Sequence, residues 1–185
     1  MQTVCVAFCL SAAAILSVGG CATTSSGTPK IPLPDVPAQL RPPAGEVLFL
    51  KTEGTGVQIY DCSAKADQAS VYEWVFRAPQ ADLKDSTGRI LGRHFAGPTW
   101  ELKDGSSVVG EVKARAPSPS PAAIPWLLLA AKATAGSGTL TATTSVQRLQ
   151  TIGGIAPSVG CDVASAGKVA QVPYTADYYF YRSAP

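Results

Sequence analysis

The sequence predicts an all-β fold: a single-domain β-sandwich or β-barrel of short, mostly antiparallel strands, with at most one short helix. Three observations carry this expectation. Runs of strand composition recur between residues 46 and 182, each bounded by turn residues. The 185 residues include 15 prolines and 17 glycines, a composition that favours many turns over long helices. Only one segment, residues 124–135, reads as a helix candidate at all.

The elements follow in order. "EVLFL" (46–50) precedes Gly54 and Gly56. "GVQIYDC" (56–62) alternates Val57 and Ile59 with Gln58 and Tyr60, the period of a strand. "VYEWVF" (71–76) stops before Pro79, and "DSTGRILGRHF" (85–95) carries a Ser-Thr-Gly turn into a strand. "TWELKDGSSVVGEVKA" (99–114) reads as two strands around Asp104-Gly105, a hairpin signal. "IPWLLLAAKATA" (124–135) suits either a helix opened by Pro125 or a buried central strand. "TLTATTSVQRLQ" (139–150) is rich in Thr and Val with alternating polarity. In "VPYTADYYFYR" (172–182) a strand puts Tyr174, Tyr178 and Phe180 on one face and Tyr179 and Tyr181 on the other. Trp74 and Trp126 read as core.

The chain divides into three parts: residues 1–20, 21–43 and 44–185. The first carries no charged side chain and is apolar from Val4 to Val18, the pattern of an export signal, although "MQTVC" lacks Lys and Arg. An uncleaved membrane anchor is the competing reading, and Gly19, Gly20 and the polar turn after Cys21 favour cleavage. "VGGC" is similar to the lipobox of bacterial lipoproteins, an aliphatic residue and two small ones before a cysteine. The resemblance implies that Cys21 is acylated and becomes the mature N-terminus. It sits ahead of a flexible "ATTSSGTPK", and residues 28–43 then hold six prolines, favouring extended backbone. The expected localisation is the cell envelope, with the outer membrane in a Gram-negative host because Ala22 rather than Asp follows the lipidated residue, and otherwise secreted or periplasmic.

Cysteine usage agrees with export. Cys5 and Cys9 fall in the signal and Cys21 at the lipid, leaving Cys62 and Cys161 as an even pair in an oxidising compartment. The alternative is two buried free thiols. Charge narrows the partners: 15 basic and 13 acidic residues give +2 with no basic run, so nucleic-acid binding has no support. One histidine argues against a multi-histidine metal site. No P-loop, H-E-x-x-H, C-x-x-C, G-x-S-x-G or dinucleotide fingerprint is present, and no cofactor is expected.

Read together, "GVQIYDC", "GRHFAGPTWELKDGSSVVG", "IPWLLL", "VQRLQTIGGIAP", "GCDVA" and "VPYTADYYFY" resemble the secreted family known as domain of unknown function 3455, found in bacteria and filamentous fungi. The resemblance covers roughly residues 36–181. It implies an exported all-β domain with paired cysteines at 62 and 161, and transfers no catalytic residue.

Chemistry-bearing side chains are densest in "HFAGPTWELKDGS". His94, Trp100, Glu101 and Asp104 lie around one Gly-Pro turn. A histidine with a carboxylate serves acid–base work, and a tryptophan can stack on a sugar or aromatic ligand. The plainer reading makes His94 a surface or capping residue beside the turn, Trp100 core and Asp104-Gly105 hairpin chemistry. The leading functional expectation is therefore a lipid-anchored binding or structural module with a glycan or small-molecule ligand. The second is a small extracellular enzyme on glycan or cell-wall material, using His94 with Glu101 or Asp104. The anchor is directly testable: Cys21→Ala should release the protein from the membrane fraction or block processing. A variant processed and fractionated as wild type overturns the lipoprotein assignment.

Overall fold

A computed structural model describes Gln2 and residues 31–185. Apart from Gln2, the segment expected to be an export signal (residues 1–20) lies outside the described residues, as does Cys21. Eight strands run in sequence order, each antiparallel to the next, and the last pairs with the first to close a barrel. They are β1 (Glu46–Lys65), β2 (Gln68–Lys84), β3 (Ile90–Phe95), β4 (Thr99–Leu102), β5 (Ser107–Ala116), β6 (Trp126–Ala135), β7 (Ser145–Gly153) and β8 (Val169–Ser183). Short 3₁₀ turns are the only helical pieces among the described residues. Of the two open possibilities, sandwich or barrel, the barrel is the one formed. Residues 124–135 give strand β6 and not a helix, because pairing to β5 and β7 uses both edges of an otherwise continuous apolar run.

Two expected breaks are absent. Gly54 and Gly56 lie inside β1 rather than ending it. A Cβ at Gly54 would come within 2.5 Å of the Tyr178 ring, so the glycine lets that ring lie across the strand. Pro79 lies inside β2, opposite Gln58 of β1. It is tolerated because β3 pairs with β2 only over Ala81–Lys84, which leaves the chain at Pro79 with a partner on one side.

The barrel buries both faces of part of its wall. Inside, Leu83, Trp100, Leu102, Val108, Leu129, Leu140, Val146, Tyr178 and Phe180 form the main cluster. Outside, Val36 and Leu40 of the proline-rich segment pack against Trp126, Leu128, Leu149, Tyr179 and Tyr181. The Gln147 amide donates to the Leu40 carbonyl at 2.6 Å and accepts from the Tyr181 hydroxyl at 2.7 Å, so this strap is held by hydrogen bonds as well as contact. The two tyrosine faces of β8 therefore serve the two clusters. Trp126 is core, whereas Trp74 is only half-buried and donates its indole N–H to the Val159 carbonyl at 3.0 Å.

Cys62, near the end of β1, is bonded to Cys161 in the segment between β7 and β8, with Cα atoms 5.3 Å apart. The same segment is held by Tyr60, whose hydroxyl donates to the Gly154 carbonyl at 2.5 Å, and by the paired backbone bonds of Cys62 with Gly167 and Lys168. The bridge closes a separation of 99 residues. Cys62→Ser should cost roughly 2–5 kcal/mol in chemical denaturation. Cys161→Ser should cost the same and the double variant no more, since one bond cannot be lost twice. Additive losses would contradict this account.

Candidate functional site

The barrel is plugged at one end and hollow at the other. A cavity of about 490 Å³ opens between β1, β2, the turn joining β3 to β4, and the segment leading into β6. Its walls are Phe76, Pro79, Pro98, Val112, Ile124, Leu127 and Leu129, and its polar lining is Gln58, Tyr60, His94, Trp100, Arg77, Arg115 and Arg148. A second hollow shares Tyr60, Arg115, Ile124 and Pro125 and continues outward past Ile155 and Ala156.

Register explains which side chains reach the cavity. In β1 the inward set is Gln58 and Tyr60, both buried, while Val57 and Ile59 face outward. The expected polarity of an alternating strand is thus inverted. In β7, Arg148 pairs with Leu127 on one side and Tyr178 on the other, both members of the interior cluster, so its side chain points in. Its Nε and Nη2 donate to the Pro125 carbonyl at 3.2 and 2.8 Å. Among the described residues no carboxylate pairs with Arg148 or Arg115. Arg77, by contrast, is taken by Asp61 at the rim. Burial lowers the Arg148 pKa, and nearby Tyr178, Tyr174 and Tyr60 oppose that effect.

His94 and Trp100 are directly opposite on β3 and β4 and stack with centroids 4.5 Å apart. Tyr178 lies 5.0 Å from the imidazole and 5.5 Å from the indole. Phe180 meets another edge of Trp100 at 6.1 Å. Nδ1 of His94 lies 2.8 Å from the Thr99 carbonyl. A carbonyl only accepts, so Nδ1 carries the proton and the ring is the neutral Nδ1–H tautomer. Burial pushes its pKa down to about 3, against a smaller pull upward from the Thr99 bond.

The four residues around the Gly-Pro turn therefore separate. His94 and Trp100 share the interior. Glu101 is one rung away and faces out, paired with Arg93 at 2.8 Å. Alternation alone places the two on opposite faces. Asp104 is exposed in the hairpin turn, where it accepts from the Ser106 hydroxyl (2.5 Å), the Ser106 amide (2.9 Å) and the Thr139 amide (2.8 Å). These bonds, the Ser106 hydroxyl first, hold its pKa below the ordinary carboxylate value. Neither carboxylate reaches His94, so acid–base pairing with it is not available. Trp100 offers no open face for a sugar, since His94 covers it and Tyr178 and Phe180 close its edges. Among the described residues no three His, Cys, Asp or Glu side chains converge on a metal position.

Arg148, Gln58 and Tyr60 were not singled out by the sequence. The signal present was a cation in phase with Val146 in "SVQRL". It was masked because Gln147 and Leu149, in the other phase, are equally buried under the Leu40 strap.

An eight-stranded antiparallel barrel, closed by its first and last strands and hollow at one end, is a cavity-bearing β-barrel protein. The chain belongs to a family of proteins of unknown function, DUF3455, whose model matches residues 43–182 and so takes in nearly all of the barrel. No curated protein and no solved structure matches it.

The His94 environment generates a pH signature. The unfolded chain binds a proton on this ring near pH 6.5, and the native state refuses it until about pH 3. Between those values the unfolded state holds more protons, so stability is complete above 6.5 and falls as the pH drops. From pH 6.5 to 5 the loss should be roughly 1.5 kcal/mol. Denaturant titrations at both pH values should show this loss in the wild type and little of it in His94→Gln. An equal loss in both would remove His94 as its source.

Proposed function

We propose that this protein is an exported, lipid-tethered binding module of the cell envelope, and that its barrel takes up one small, largely apolar molecule. The single observation that carries the reading is the hollow end of the barrel. Its volume falls within the range of small-molecule sites, and it is walled mainly by aliphatic and aromatic side chains with a few polar groups. It also exceeds by about three times the 150 Å³ of an apolar cavity that accepts benzene.

The chemistry of the lining favours binding over turnover. It contains no Ser, Thr, Cys, Lys, Asp or Glu, and its Tyr60 hydroxyl donates to the Gly154 carbonyl. The one histidine is bonded to Thr99 through Nδ1 and stacked on Trp100, with no carboxylate beside it. Export is supported by the signal-like N-terminus and by a disulfide that an oxidising compartment would maintain. The strap at Val36 and Leu40 means that any tether begins beside the barrel wall.

A neutral apolar dye, N-phenyl-1-naphthylamine, tests the cavity. The wild type should bind it one to one with enhanced fluorescence. Val112→Trp, which fills the hollow from β5, should weaken binding at least about tenfold. Unchanged affinity in a folded Val112→Trp variant would place the dye elsewhere, and no binding by the wild type would overturn the reading.

A further inference from the structure

The polar atoms of the cavity are unusual in kind. Gln58 is 2% exposed and Trp100 1%, and both line the hollow. The amide nitrogen of Gln58 and the indole nitrogen of Trp100 are closed off from the cavity surface, so the polar groups open to a ligand there are chiefly the cations. Arg148 adds N–H groups beyond the two that meet Pro125, and it has no carboxylate partner. The hydroxyls of Tyr174 and Tyr178 lie 3.1 Å apart, so one donates to the other. Arg115 brings a second unpaired cation to the mouth. Against this set of donors the lining offers no carboxylate at all.

We infer that the cavity selects an amphipathic acid: a carboxylate held by Arg148 on an apolar body about two rings in size lying against Leu127, Leu129 and Val112. This inference rests on the binding reading above and gives the ligand its class. The carboxylate is the group that fits, because it is acceptor-only and accepts from a guanidinium in a fork. A low-dielectric wall strengthens that pairing, since the cation is already partly stripped of water by the fold. An amide or alcohol of the same shape can satisfy a donor but cannot neutralise the guanidinium. A cationic ligand would face Arg148 and Arg115 with no counter-charge inside the cavity.

The test compares 2-naphthoate with its neutral isostere 2-naphthamide by titration calorimetry, in the wild type, Arg148→Gln and Arg148→Lys, with thermal melts checking folding. The acid should bind the wild type about tenfold or more tighter than the amide. Arg148→Gln should abolish that preference, and Arg148→Lys should retain part of it. Equal binding of acid and amide to the wild type overturns the inference without any variant. A preference that survives in Arg148→Gln overturns the role of Arg148. If neither naphthalene compound binds while N-phenyl-1-naphthylamine does, the acid assignment falls and the cavity reading stands. If the dye fails as well, both fall.

Discussion

The pairing of β1 with β8 is the constraint on which the remaining structure depends. It runs from Glu46 opposite Ser183 to Asp61 opposite Val169, with one irregularity near Leu48. Without it the eight strands would form an open, twisted sheet with two exposed edges. With it they enclose a volume. Closure brings Tyr178 of β8 across Gly54 of β1 and aligns Tyr174 with Gly56. It also joins segments more than a hundred residues apart, the most non-local pairing in the molecule and thus the one with the highest loop-closure cost. The Cys62–Cys161 bond reduces part of that cost by tying the far end of β1 to the segment that introduces β8.

Enclosure does not require filling. One end of the barrel is packed by Leu83, Leu102, Val108, Leu140 and Phe180, with Leu140 supplied by the 3₁₀ turn at Thr139–Ala142. Asp104 fastens that turn to the β4–β5 hairpin through its bonds to Thr139 and Ser106. The other end is held open by residues too well tethered to collapse inward. Arg148 is braced on the Pro125 carbonyl, Tyr60 on Gly154, and His94 between Thr99 and Trp100. A stable core at one end thus supports a hollow at the other, whose apolar walls are braced by tethered polar groups. This division lets a small barrel remain folded around a hollow interior.

The outer wall shows the same economy. The proline-rich segment reads as a spacer, yet Val36 and Leu40 pack on the barrel and Gln147 binds the Leu40 carbonyl. That contact makes β7 and β8 two-sided. Once both faces of a strand are buried, alternation no longer reports which face is inside. Arg148 was hidden for this reason. The strand carries Val146 and Arg148 toward the lumen and Gln147 and Leu149 toward the strap, each phase mixing an apolar with a polar residue. In β1 the signal misleads outright, because the lumen takes Gln58 and Tyr60 and the outside takes Val57 and Ile59.

What the sequence determined by itself was local or countable. Strand composition and turn residues determined the all-β class and most of the strands. Asp104-Gly105 determined the β4–β5 hairpin, because a turn needs only neighbouring residues. Cysteine usage, on the expectation of export and a lipidated Cys21, left Cys62 and Cys161 as the candidate pair that the structure joins. Tertiary structure alone decided barrel over sandwich, since that choice is the pairing of β1 with β8 and leaves no local mark. It decided that β1 runs through Gly54 and Gly56, because the reasons are a ring carried by β8 at Gly54 and the close backbone of β2 at Gly56. It decided also that His94 and Trp100 share an interior while Glu101 and Asp104 do not. Sequence proximity brings all four within eleven residues, but strand alternation sends neighbouring side chains to opposite faces, and only closure decides which face becomes the inside.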